Sequence, residues 1–265
     1  MMENLFVFWK KIYESRYFWM MQAKIDLKNK FRRSKLGLLW VCVTPLCLTI
    51  IMAFVFGTAF HQDIISYAPY VLSGIITWDI FTVSFVAGSG IMIGSSPYIK
   101  QTNHPVVIYP LKAAIAEIAS FLISTAALGI WVMFINPLHV LFGYIFIAPA
   151  LIIYFMISWG GMIIASYIGA KYRDYPQLAT LLLQLLWYMS PVFFQESMFE
   201  SNELLHTIFV VNPITHLLEL IRKPFLAGQI PTGIDYLISI SFAAVILFIA
   251  FLLNRKNERD VVFYI

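Results

Sequence analysis

The chain has 265 residues, of which 60% are hydrophobic and 12% charged, and its mean hydropathy is +0.80. Soluble domains carry about 25% charged residues, so this composition excludes water as the main solvent of the folded chain. The net charge of +4 would suit nucleic acid, but the basic residues fall between apolar runs instead of gathering on one soluble face, and no nucleic-acid partner is expected.

The first 36 residues form a basic arm that precedes a membrane domain over 37–265. Leu5, Phe8, Trp9, Ile12, Tyr13, Tyr17, Met20 and Met21 recur at helical spacing with basic residues between and after them, the pattern of an amphipathic helix lying on the inner membrane surface. Charges run throughout the arm, so it lacks the single apolar core of a cleavable signal peptide.

Apolar stretches follow at Gly37–Phe60, Pro69–Ile93, Val106–Ile135, Val140–Ala170, Leu178–Phe194 and Ile234–Leu253. Each can cross a hydrocarbon layer of about 30 Å as a helix, the third and fourth with tilt or extra turns. Helices satisfy the backbone where no water can, and the alternation of membrane strands is absent. The fold expected is therefore an all-α membrane protein with six transmembrane helices. Cys42 and Cys47 lie in the first stretch, five residues apart, and read as packing residues.

With the N-terminus inside and six spans, sixteen of the eighteen Lys and Arg fall on the cytoplasmic side, and Arg222 and Lys223 remain outside. The positive-inside rule thus puts both termini in the cytoplasm, in a multi-pass inner-membrane protein. Between the fifth and sixth stretches, Ser201 or Asn202 can cap a short helix through Val210, Asn212-Pro213 breaks it, and a second helix can run from Ile214 to Leu226 before Gly228. These two extracytoplasmic helices are too short to span.

Asp79 and Glu117 sit inside apolar stretches, at a cost of roughly 3 kcal/mol each on insertion scales. An ion relay and structural hydrogen bonding both remain open. The histidines His61, His104, His139, His206 and His216 are dispersed, without metal-ligand spacing. No nucleophile, base and orienter recur together, so no enzyme activity and no cofactor are expected. A phosphate-cradling loop needs Gly-x4-Gly-Lys-Ser/Thr, and Gly88, Gly90 and Gly94 lack its lysine; close helix packing explains them better.

Phe31-Arg32-Arg33-Ser34-Lys35-Leu36-Gly37-Leu38-Leu39-Trp40, followed by Thr44-Pro45-Leu46, resembles the start of the permeases of polysaccharide-exporting ABC transporters, which move O-antigen, capsule or teichoic acid. The loop from Pro97 to Pro105, Tyr172-Arg173-Asp174, and Asn212-Pro213 before an amphipathic helix match as well. The resemblance implies a homodimer of permeases around one pathway, two copies of a separate ATP-binding subunit beneath, and a lipid-linked polysaccharide as substrate.

On that resemblance the loop holding Pro97, Tyr98, Lys100, Gln101, Asn103 and His104 is the expected coupling element to the ATPase. Arg32, Arg33 and Lys35, beside Ser34 as cap of the first span, suit a lipid-diphosphate head group, although the same cations also satisfy the positive-inside rule. Tyr70, Trp78, Phe81, Tyr144, Tyr154, Trp159, Trp187 and Tyr188 are candidate pathway aromatics, because such rings offer an apolar face and a polar rim. Asn212, Pro213, Leu217, Ile221 and Phe225 are the expected extracytoplasmic gate. The rival functions are a drug or lipid exporter of the same superfamily, and a secondary transporter, for which an internal inverted repeat is missing.

Overall fold

The computed structural model describes residues 5–30, 34–102, 104–195, 203–258 and 260–265. Among the described residues there is no strand, and five helical stretches are long and apolar enough to cross a membrane: Gly37–Ala59, Ile64–Gly94, Ile108–Ile135, Pro137–Lys171 and Gly233–Asn257. The chain runs α1 (Leu5–Glu14), α2 (Arg16–Lys30), α3 (Trp40–Ala59), α4 (Ile64–Phe85), α5 (Ile91–Gly94), α6 (Ser96–Gln101), α7 (Ile108–Ile135), α8 (Pro137–Lys171), α9 (Tyr175–Tyr188), α10 (Glu203–Val211), α11 (Pro213–Arg222) and α12 (Gly233–Asn257).

The helix starts have local causes. Asp63 caps α4 by accepting the Ser66 amide at 3.1 Å, and Thr232 with Asp235 forms a reciprocal capping box on α12. Prolines open α6, α8, α9 and α11 at their first turns, where the missing N–H costs nothing. Inside α3, Pro45 cannot donate to the Val41 carbonyl. The Ser124 hydroxyl of α7 donates to that carbonyl instead, at 3.0 Å, so a neighbouring helix satisfies the group that the proline frees.

The basic arm is two helices broken at Ser15, and it is docked on the bundle. Lys112 of α7, 7% exposed, pairs with Asp26 of α2 at 2.9 Å and donates to Gln22 at 3.3 Å. Cys42 donates to the Ile123 carbonyl at 3.4 Å as a packed residue, whereas Cys47 faces outward on the side of α3 that carries Ile51, Phe54 and Val55.

The core forms two clusters, one at each end of the bundle. The first gathers Val71, Leu72, Tyr154, Ile157, Leu217 and Phe225; the second gathers Ile99, Ile108, Tyr109, Met162, Tyr167 and Val261. The 35-residue α8 passes through both and packs along α7 and α12.

The fifth apolar run departs from expectation. Its helix, α9, has 14 residues, about 21 Å at 1.5 Å per residue, too short to cross alone. Pro191 lies within the apolar run, and a proline neither donates to the ladder nor fits an ongoing helix, so the chain turns at Met189–Phe194. Two short helices follow, α10 and α11, the second ending in a wide turn over Lys223–Ala227 and a left-handed Gly228 at φ +62°. The expected caps Ser201 and Asn202 lie outside the described residues.

Phe225 seats its ring directly over Gly143 of α8, where an added Cβ would stand 2.4 Å from a ring carbon. Gly143→Val is expected to cost about 1–3 kcal/mol by overpacking and to lower the unfolding temperature of the purified chain. An unchanged transition would contradict this packing.

Candidate functional site

A turn without helical hydrogen bonds, buried in an apolar bundle, must find a donor for each carbonyl. The Met189–Phe194 turn does so through side chains of three other elements. Arg222 of α11, 4% exposed, donates from Nη1 to Pro191 O at 2.7 Å and from Nη2 to Val192 O at 2.8 Å. Its remaining contacts run to the Tyr70 hydroxyl at 2.9 Å, the Ser73 hydroxyl at 3.2 Å and the Tyr70 carbonyl at 3.4 Å, so every N–H of the guanidinium has an acceptor. Tyr70 donates in turn to Phe194 O at 2.7 Å, and Tyr67 to Phe193 O. Asn212 donates to Met189 O at 3.2 Å and to Ser190 Oγ at 2.9 Å. The turn presses on Gly74 so closely that a Cβ there would sit 2.2 Å from the Val192 oxygen.

The charge count puts Arg222 on the outer side and does not address its burial, which the structure adds. Arg222 stands four residues after Leu218 and one after Ile221, on the apolar stripe of α11 itself, and that placement is the signal from which its burial could have been read. Lys223, beside it, pairs with Asp235 at 2.5 Å. His216 bridges the other Asp235 oxygen at 2.9 Å and the Val210 carbonyl at 3.0 Å, which ties α10, α11 and α12 together. His216 is therefore a helix residue in an ion-pair knot.

The gate residues fall in this same region. Asn212 caps α11 by accepting the Ile214 amide at 2.9 Å, Pro213 fills its first position, and Leu217, Ile221 and Phe225 are buried in the first core cluster. The stripe of α11 thus faces the bundle.

The eight aromatics separate into groups. Trp78 and Trp187 stack with centroids 6.2 Å apart, Phe81 leans on Trp78 at 5.6 Å, and the exposed Tyr188 stacks on Trp187 at 6.1 Å. Tyr70 belongs to the Arg222 cage, and Tyr154, fully buried, donates to the Leu217 carbonyl at 2.6 Å. Tyr144 meets Phe225 edge-on at 5.4 Å, and Trp159 stacks on Phe155 at 5.9 Å in the second core cluster. Trp78 and Trp187 line a cavity of about 300 Å³, with Asp79, Thr82, Thr180 and Gln184 as its polar wall. Asp79 also borders a second cavity of about 280 Å³ with Thr44, Ser124 and Glu117. Glu117 and Ser120 then border a third, of about 220 Å³, that reaches Asp26 of the arm. Three adjoining cavities therefore share their acidic walls.

At the opposite end, α6 is a six-residue helix whose Ile99 is buried while Tyr98, Lys100 and Gln101 point outward. Pro97 sits in its first turn. His104 accepts or donates with the Ser15 hydroxyl at 3.0 Å and stacks on Phe18 at 4.7 Å, joining the segment after α6 to the arm. Asn103 lies outside the described residues.

Arg32 and Arg33 also lie outside the described residues. Ser34 does not cap the first span: it accepts from the Trp40 indole at 2.9 Å, and the span opens as a 3-10 turn at Gly37–Leu39 with no side-chain cap. Gly37 takes φ +53° there, so the chain reverses before the helix begins and carries Ser34 away from its first amides. Lys35 is exposed. Among the described residues no group of His, Cys, Asp and Glu is placed to hold a metal.

Residues 18–226 match the family described as ABC-2 type transporter. Over 223 residues, 84% of each chain, the sequence is 25% identical to "O-antigen export system permease protein RfbA" of Klebsiella pneumoniae. It is 19% identical to the protein of the same description from Myxococcus xanthus over 90% of this chain and 91% of that one. It is 23% identical to "Polysialic acid transport protein KpsM" of Escherichia coli over 88% of this chain and 91% of that one.

Removing the guanidinium orphans two buried carbonyls, at about 1–3 kcal/mol each. Arg222→Lys keeps the charge but replaces a five-donor fork by a point cation. Both Arg222→Lys and Arg222→Met are expected to lower the unfolding temperature of the purified chain, and a wild-type transition in Arg222→Lys would contradict the caging role.

Proposed function

The chain belongs to the ABC-2 type transporter family, and on that premise we propose that it is the membrane-spanning subunit of an ATP-driven exporter of lipid-linked polysaccharide. As a transporter permease it is a multi-pass membrane protein and a transport subunit, not an enzyme. The relatives named for O-antigen export and polysialic acid transport span nearly the whole chain, which supports a polysaccharide as cargo. The single observation in the fold that carries the reading is the run of three adjoining cavities from Asp26, past Glu117 and Asp79, to the Trp78–Trp187 pair. A polymer of hydroxyls needs acceptors and donors along its route and apolar faces for its C–H surfaces, and this wall offers both.

In this reading the chain crosses the inner membrane six times with both termini in the cytoplasm. The crossing that α9 is too short to make is completed by the caged turn after it. Sixteen of eighteen Lys and Arg then lie on the cytoplasmic side. Arg32, Arg33 and Lys35 receive the lipid diphosphate at the inner surface, since arginine clamps phosphate oxygens bidentately. Two copies of the chain enclose the pathway, and two copies of an ATP-binding subunit act on α6. A short helix opened by proline and anchored by Ile99 transmits displacement through α5 to α4 on one side and to α7 on the other. Asn212, Pro213, Leu217, Ile221 and Phe225 close the far end, where α11 holds the caged turn. Asp79 and Glu117 serve as hydrogen-bonding walls, because ATP supplies the driving force and no ion gradient is needed.

Cells from which this chain is deleted are expected to lose surface polymer and to accumulate the same polymer, still lipid-linked, on the cytoplasmic side. Normal surface polymer in the deletion strain overturns the reading. If drug sensitivity rises in that strain while surface polymer is unchanged, a drug exporter of the same family replaces it.

A further inference from the structure

We propose that the turn at residues 260–265, together with Tyr172 at the end of α8, forms a second docking surface for the ATP-binding subunit, contiguous with α6; this rests on the exporter reading. The turn is a built element. Val261, 1% exposed, is buried in the same cluster as Ile99 of α6 and Tyr167 of α8. Backbone bonds from Phe263 N to Asp260 O and from Tyr264 N to Val261 O, both 3.0 Å, close it. Lys100 of α6 donates to the Ile265 main-chain oxygen at 2.6 Å, which fixes the turn against the coupling helix.

Held in this way, the turn directs large apolar groups outward. Phe263 is 85% exposed, and Tyr264, Tyr172 and Tyr98 of α6 are exposed around it. One ammonium links two of the rings: Lys171 Nζ lies 5.4 Å from the Tyr172 centroid and 5.9 Å from that of Tyr264. Lys100 is exposed beside it, and Arg173, Asp174 and Asp260 are exposed on the adjoining residues. Aromatic side chains with a charged border are the composition of an interface core and rim, and an exposed cluster of this kind on a folded segment marks a contact surface.

The segment from Asn254 to Asp260 holds Asn254, Arg255, Lys256, Asn257, Glu258 and Asp260, so Phe263 follows a polar stretch that ends the apolar helix instead of continuing it. This places the cluster beside α6 and outside the hydrocarbon. A subunit seated on α6 meets the turn at once, because Lys100 and Ile265 are in direct contact. The partner surface that fits is an apolar pocket with charged groups of both signs at its edge. The arrangement also bears on how force is passed on: α6 joins α4 to α7, whereas the turn and Tyr172 terminate α12 and α8. Contact at both points lets one partner movement rotate two helix pairs against each other, which a push on α6 alone would not do.

The test uses the permease in lipid nanodiscs and the purified ATP-binding subunit. Phe263→Ala combined with Tyr172→Ala is expected to weaken binding about tenfold or more with the permease unfolding temperature unchanged, while Phe134→Ala, an 87% exposed side chain at the far end of α7, leaves affinity as it was. If the double variant binds normally and Tyr98→Ala with Lys100→Ala does not, the second surface is overturned and the coupling role of α6 stands. If neither pair changes affinity, both fail. A dye attached through Phe263→Cys that is quenched by brominated lipid in the absence of the subunit would assign the cluster to the membrane surface and overturn the proposal.

Discussion

The Arg222 guanidinium is the interaction on which the rest of the bundle depends. Backbone carbonyls inside hydrocarbon cannot turn to water, so a helix that stops there leaves acceptors that cost several kcal/mol each unless the protein supplies donors. Here a planar fork with five N–H groups reaches the carbonyls of Pro191 and Val192 and, through Tyr70, that of Phe194. A buried charge would itself be prohibitive, but every donor of this one is used and its face lies 3.6 Å from the Tyr70 ring centroid. The cage and the charge stabilise each other.

Because that cage is built from α4, α11 and Asn212, the far end of the molecule is a single unit. Tyr154 couples it to α8 through the Leu217 carbonyl. At the opposite end Tyr167 of the same helix donates to Asn254 of α12 at 2.7 Å, and Tyr172 terminates α8 beside α6. One long helix therefore contacts both the region assigned to ATP-driven input and the region assigned to exit. Rigid helix coupling of this kind suits a transporter in which ATP is hydrolysed on one side of the membrane and the cargo leaves on the other.

Five of the six apolar runs were legible in the sequence nearly to their ends, because uninterrupted hydrophobic length is a strong signal. The fifth was misread at Pro191, where hydropathy stays high while the backbone can no longer continue as a helix. The break at Asn212-Pro213 and the helix end at Gly228 were readable from local chemistry, since each rule involves only two or three neighbouring residues. Ser34 was not, because the turn at Gly37 separates it from the helix it was expected to cap. Burial of Arg222 was also missed: charge counting treats every cation as solvent-exposed, although its position four residues after Leu218 marks it as inward-facing. Among the aromatics, composition named suitable rings but could not distinguish a cavity wall such as Trp187 from a structural donor such as Tyr154. That difference is set by contacts between residues more than sixty positions apart.

In the proposed topology a short helix and a caged turn together carry the chain from one side of the membrane to the other. Single cysteines placed by Tyr172→Cys and Gln229→Cys in intact cells, probed with a membrane-impermeant maleimide, test it most directly. The account predicts labelling at 229 from outside and at 172 only after the membrane is opened. Labelling of both positions from the same side would contradict it.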